Sequence, residues 1–396
     1  MTWAPKSASI TAAEGTSTIE AASTTRIPSS RPWVMGAMVA EPAASPRARS
    51  GRWYTASVSL DYPWGEPPAP AEVITVAPGI AWLRMPLPFQ LNHINLWLLD
   101  DGRGVTAVDT GLGLDDTRAL WERVFAGPLG GRPITRVLAT HFHPDHMGNA
   151  GWLTERWRTD LWCTQAEWLY AQYARRARDG TDAEPRVEHY RRHGCGEEAL
   201  ALLARRGNPY PRLVPTVAPA YRRIRDGDAL EIGGRRWEVL TVLGHAPEHA
   251  CLWCRELGVL ISGDQVLPKI TTNVSVWPEE PMGNPLRLYL DSLERFRSMA
   301  PATLVLPSHG LPFRGLHARL GALRDHHAAR LAEALDVLVE PLSAAELVPT
   351  LFRRELDVHQ LGFALGESLA HLRLLESDDR VVRVVGKDGV HRFRKA

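Results

Sequence analysis

The chain has 396 residues, 44% hydrophobic and 23% charged, which at about 150 residues per domain is material for two or three domains with a large core. A formal charge of +1 removes the simplest electrostatic case for a nucleic-acid or anionic-membrane binder, and no apolar run reaches the ~18 residues of a membrane-spanning helix. Four cysteines (Cys163, Cys195, Cys251, Cys254) are too few for a disulfide framework, so a soluble protein of the reducing cytoplasm is expected.

Residues 1–57 are dominated by Ala, Ser, Thr and Pro without a sustained hydrophobic period, and a disordered tail is expected there. The one apolar patch, residues 33–40, is short and far from the start, which disfavours a secretory signal; Met35 and Met38 offer alternative starts. From residue 58 to about 320 the pattern is that of a catalytic domain. Strands are expected at 73–76, 80–83, 93–99 and 105–108, then a helix at 115–125 and a strand at 134–139. Residues 164–215 form an insertion, helical over its first 45 or so positions, with dense Arg and Glu. Two readings stand for it, a solvated helical face or a lid over a site. Strands return at 237–243, 250–254 and 258–262, a helix at 285–299 and a strand at 303–306. Strands in succession and then alternating with helices indicate a layered α/β sandwich. After a long helix from 314 to 340 come two helices and a hairpin around Lys387, Asp388 and Gly389, so residues 321–396 read as a small winged-helix domain.

The chemistry concentrates in His141-Phe142-His143-Pro144-Asp145-His146, which follows an apolar strand directly. Three imidazoles and a carboxylate in six residues cannot satisfy one another as buried polar groups. On a loop at a strand's end, His141 and His143 can converge on one ion, and Asp145 and His146 on a second. Three further pieces, Gly244-His245-Ala246-Pro247-Glu248-His249, Gly263-Asp264 and Ser308-His309-Gly310, also follow strands. Each is weak alone; together they supply further ligands.

HFHPDH resembles the HxHxDH signature of the metallo-β-lactamase superfamily, and the likeness extends over about residues 73–320. It implies a four-layer αββα sandwich with two divalent metal ions, most simply zinc, though the same ligands accept iron or manganese. Site one would be His141, His143 and His245; site two Asp145, His146 and His309; Asp264 would bridge both. A water shared by the ions would lose its proton near neutral pH and attack, with Asp145 as the catalytic group that orients it and carries its proton. Order and spacing resemble the glyoxalase II, lactonase and thioesterase-like branch, and the tail its winged-helix extension. One departure is Glu248, where many relatives have Gly.

The resemblance implies a hydrolase of a thioester, ester or lactone in a small acyl substrate. The alternative is an endoribonuclease of the same fold, disfavoured because charges in the tail nearly balance. A DNA-binding module with a metal sensor fits poorly with a full ligand set, and a β-lactamase fits poorly without an export signal. Outside the motifs, Cys251 and Cys254 read as buried small side chains, because positions i and i+3 of a strand face opposite ways. Asn95 is expected to hydrogen-bond backbone beneath the metal loops, and Trp277 is a candidate pocket-lining residue. His249 reads either as a group beside the ligands or as a surface residue. His326, His327, His359 and His371 read as non-ligands.

Overall fold

The computed structural model describes residues 59–396 except 89, 90, 177–182, 354 and 357, so the expected disordered tail lies outside the described residues. Two sheets form the centre. In the first, β1 (Val73–Ala77), β2 (Ile80–Pro86), β3 (His93–Asp101) and β4 (Gly104–Val108) are antiparallel, and β5 (Ile134–Leu138), β6 (Leu161–Cys163) and β7 (Arg222–Arg223) continue in parallel. The second runs β12 (Leu304–Pro307), β11 (Val259–Gly263), β10 (His249–Cys254), β9 (Arg235–Val242), β8 (Ala229–Ile232), antiparallel except for the β11–β12 pair.

Alternation along the strands divides their side chains between two faces. Trp82, Trp97, Val108 and Leu138 of the first sheet meet Trp237, Val239, Leu252, Ile261 and Leu306 of the second, forming the middle of the sandwich. The opposite face of the first sheet, with Leu83, Leu96 and Leu98, packs on Trp121 and Val124 of α1 (Asp115–Ala126). Beyond the short α2 (Pro144–Met147), α3 (Ala150–Trp157) adds Leu153 to that layer. The outer face of the second sheet is covered by helices that follow the insertion. The order helix–sheet–sheet–helix agrees with the expected αββα sandwich. Cys251 and Cys254 fall in different core layers, as strand alternation requires.

The insertion is not the solvated face that its charge pattern suggested. It comprises α4 (Gln165–Arg176), α5 (Ala183–Arg192), α6 (Glu197–Arg206) and α7 (Tyr210–Leu213). Val187, Tyr190, Leu200 and Leu203 join the same core as α8 (Pro285–Leu293), α9 (Leu316–Val337), α10 (Ala344–Leu351) and α11 (Val358–Ser377). Charged residues line its outer side, and sparse but well-placed apolar residues line the inner. The chain closes with β14 (Val381–Val385) and β15 (His391–Lys395), a hairpin that the short β13 (Leu342–Ser343) extends to three strands. Its turn uses Gly389 at φ +76°, the left-handed region that the Asp-Gly pair supplies. Among the described residues, no helix is long and apolar enough to cross a membrane.

Candidate metal centre

Four strand ends converge at one edge of the sandwich. β5 runs into Thr140, His141 and His143, and Pro144 at the first position of α2 starts the turn that presents Asp145 and His146. β9 ends at Gly244 and His245, β11 at Gly263 and Asp264, β12 at Ser308 and His309. Gly244 adopts φ +103° with Tyr289 so close that a Cβ would lie 2.5 Å from it, so a side chain there would displace the His245 turn from α8.

All seven residues expected from the sequence come together, in two groups. His141, His143, His245 and Asp264 form one group of converging ligand atoms, and Asp145, His146 and His309 another. His141 Nε2 lies 2.8 Å from His143 Nδ1 and 3.2 Å from His245 Nε2. Asp264 turns Oδ2 to His245 Nε2 at 3.4 Å, and Oδ1 to His146 and His309 Nε2 at 3.5 and 3.4 Å. Asp145 Oδ2 is 3.4 Å from His309 Nε2 and 3.7 Å from His146 Nε2.

The far side of each ring explains why these nitrogens point inward. His245 Nδ1 donates to Asn273 C=O at 2.8 Å and His309 Nδ1 to His93 C=O at 2.9 Å. Asp109, whose carboxylate only accepts, accepts a hydrogen bond from His146 Nδ1 at 2.8 Å. Thr140 hydroxyl donates to Asp109 and accepts from His141 Nδ1 at 3.1 Å. Each of these rings therefore offers its Nε2 lone pair to the centre. Burial holds His141 and His143 well below the ordinary imidazole range. Burial also opposes protonation of His146, but Asp109, Asp145 and Asp264 outweigh it and lift that ring to about 10, so a cation would take its Nε2 lone pair by displacing a proton.

These residues fit a metal. Ligands around a tetrahedral ion at about 2.0–2.1 Å lie about 3.3–3.4 Å apart, close to the spacings seen here. His146 Nε2 and Asp264 Oδ1 are buried with no hydrogen-bond partner, a costly arrangement that a cation would relieve.

Asn95 meets its expectation closely. Its amide donates to Pro307 and Gly310 C=O, both at 2.8 Å, and its oxygen accepts from Trp82 Nε1, so it holds the loop of His309 from beneath. His249 is buried and accepts the Asp264 N–H at 3.1 Å, which discards the surface alternative. Trp277 packs edge-on against Phe363, and His327 and His371 contact each other away from the centre. Glu248, the departure from the usual turn, accepts the Ala166 N–H at the start of α4 at 3.1 Å.

Sequence reasoning missed three groups. Asp109 lies between the expected strand at 105–108 and helix at 115–125, marked locally only by Asp-Thr-Gly after an apolar run; in the structure it is buried at φ +63°. Glu167 lies among the dense Arg and Glu of the insertion, yet it is buried and accepts from Phe142 and Glu248 N–H. Tyr210, also buried, donates to Phe142 C=O at 2.6 Å. No local signal marks the last two.

Residues 90–309 match the family described as metallo-beta-lactamase superfamily, and residues 331–396 match the metallo-beta-lactamase-like C-terminal domain. A probable metallo-hydrolase, YqjP of Bacillus subtilis (strain 168), is 25% identical over 319 residues, covering 76% of this chain and 92% of its own. The acyl-coenzyme A thioesterase MBLAC2 of Gallus gallus is 29% identical over 202 residues, 48% of this chain and 63% of its own. Among solved structures, a beta-lactamase domain protein from Burkholderia ambifaria is 50% identical with a TM-score of 0.80, covering 85% of this chain and 98% of that one. A metallo-beta-lactamase family protein from Thermus thermophilus is 31% identical with a TM-score of 0.67, covering 81% of this chain and 100% of that one.

Proposed function

We propose, for a chain that belongs to the metallo-beta-lactamase superfamily of hydrolases, that the centre binds two divalent ions and cleaves a thioester, ester or lactone in a small acyl substrate. The observation that carries this reading is Asp264, which faces one ligand group with each carboxylate oxygen. Divalent ions in such a pair lower the pKa of coordinated water and polarise an acyl carbonyl.

The chain's own residues do the rest. His141, His143 and His245 would hold one ion and Asp145, His146 and His309 the other, with zinc the simplest choice for this donor set. Asp145, at hydrogen-bonding reach of the same space, would orient the attacking water and take its proton. Phe142 and Tyr170, with ring centroids 5.0 Å apart and Phe142 against His143, offer an apolar wall for the acyl chain. A thiol nucleophile is disfavoured, since burial pushes Cys163 and Cys251 far up and all four cysteines are buried. Buried free thiols also suit a reducing compartment. The printed activity of MBLAC2 makes a thioester the first bond to try.

The helix–helix–hairpin unit from α10 to β15 has winged-helix order, and its second helix packs on the loop at Ser275 and Val276. Val276 N–H donates to Gly366 C=O of α11 at 3.1 Å, so α11 backs the loop whose Asn273 orients His245. Of the insertion's basic residues, Arg191 and Arg192 pair with Glu188 at the surface, and Arg175 donates to Pro215 C=O. The test is turnover by purified, metal-quantified protein on an acyl thioester, a lactone, a cephalosporin and RNA. Acyl cleavage whose rate stays flat over several-fold changes in salt is expected. RNA cleavage falling steeply with salt, as phosphate contacts demand, would overturn the reading.

A further inference from the structure

The insertion is joined to the centre at its least obvious point, the backbone of Phe142. This residue lies between two of the three site-one imidazoles, and both of its backbone polar groups are held by insertion side chains. Glu167 of α4 accepts its N–H at 2.8 Å, and Tyr210 of α7 donates to its C=O at 2.6 Å. The other oxygen of Glu167 accepts the N–H of Glu248 at 2.7 Å, three residues after His245. Glu248 returns the contact, accepting from Ala166 N–H and, through its C=O, from Thr164 hydroxyl at 2.8 Å. One fully buried carboxylate thus spans the two loops that carry His141, His143 and His245. Site two is braced from elsewhere: Asp109 and Thr110, after β4, hold His146 through its ring and its C=O, and Asn95 holds the His309 loop.

We infer that Glu167 and Tyr210 are positioning residues for site one, through which the insertion sets the affinity of that site for its ion. The inference rests on the metal reading above. Its physical basis is the cost of misplacing ligands: groups that orient the first ligands typically change metal affinity about 10–100-fold when replaced. Glu167 is suited to the task because its two oxygens face two backbone N–H groups, which favour the charged carboxylate against the rise to about 8 that burial imposes. A carboxamide has one acceptor, so Glu167→Gln would turn an NH₂ toward one of two N–H donors and release one loop. Tyr210→Phe would leave the Phe142 carbonyl without its donor while preserving the ring's packing. Coupling of this kind is reciprocal, so filling site one should also steady the insertion.

The experiment is a Co²⁺ titration of the full chain followed by visible absorption, which reports coordination geometry as well as occupancy. His143→Ala and His309→Ala identify the site-one and site-two steps. Glu167→Gln and Tyr210→Phe should each weaken the site-one step about 10–100-fold, alter its absorption bands, and leave the site-two step in place. Hydrogen exchange should show Co²⁺ protecting the α4 amides in the wild type and protecting them less in Glu167→Gln. A merely structural role would lower the melting temperature without moving the bands or the site-one affinity, and that result would overturn the inference. Should Glu167→Gln fail to fold, Tyr210→Phe decides by the same readout. A wild-type chain that binds no Co²⁺ would instead overturn the metal reading; two bound ions with both variants unchanged would overturn only the coupling.

Discussion

Replacing Asp109 by Asn changes one atom of a fully buried side chain and should cost site two most of its grip on its ion. The carboxylate serves two clients: Oδ2 accepts from His146 Nδ1 at 2.8 Å, and Oδ1 accepts from Thr140 N–H at 2.8 Å. An amide can serve one. With its oxygen toward Thr140, its NH₂ faces His146 Nδ1 and forces the other tautomer, placing a proton on the Nε2 that should coordinate. With its oxygen toward His146, a buried donor is left facing the Thr140 N–H, at about 1–3 kcal/mol. A 10–100-fold loss of metal affinity, the usual effect of replacing such a group, is about 1.4–2.7 kcal/mol, so the two magnitudes agree. Backbone strain does not confuse the result, since Asn tolerates the left-handed φ of +63° seen at this position. Competition with a chelator measures the affinity, and thermal unfolding with excess chelator measures the stability apart from the metal. Site-two affinity within about twofold of wild type, less than the ~0.5 kcal/mol an ordinary net hydrogen bond is worth, would refute the tautomer reasoning.

Three other outcomes are expected. Asp264→Ala should deplete both ions, whereas His141→Ala should mainly weaken site one and His309→Ala site two; metal analysis of the purified variants checks this. Asp145→Asn should lower turnover by about 10²–10⁴-fold while removing far less metal, because the amide keeps an oxygen but takes no proton; near wild-type rates would deny it the proton-transfer role. Burial in α11 pushes the Glu367 carboxyl from the usual 4.5 to about 8. Between those values the folded chain binds a proton the unfolded chain has released, so this residue's contribution to stability falls as pH rises through that window. Glu367→Gln should therefore raise the melting temperature above about pH 8 and change it little below about pH 4.5, a contrast that scanning calorimetry at the two pH values reads directly.

The seven candidate ligands were legible in the sequence because each is fixed by short-range information. HFHPDH is one contiguous loop, and His245, Asp264 and His309 each sit just past an apolar strand; the resemblance of that loop to the superfamily signature is what selected them as one set. The Asp-Gly hairpin and the opposite facing of Cys251 and Cys254 were likewise set by neighbours a few residues apart. Strands β6, β7 and β8 left little local trace, since two to four residues are too few for a period to register, and their pairing partners lie far along the chain.

The supports of the site belong to the tertiary structure. Glu167 looks like any charge on an Arg- and Glu-rich helix; only the packing of α4 against two loops, 25 and 81 residues away along the chain, makes it a buried acceptor. Asp109 looks like the first residue of a turn until β4 and β5 pair in parallel and bring Thr140 and His146 over it. A ligand announces itself by what it is, because few residue types bind metal and they cluster. A supporting residue is defined by what it touches, and that is decided only when distant segments are brought together.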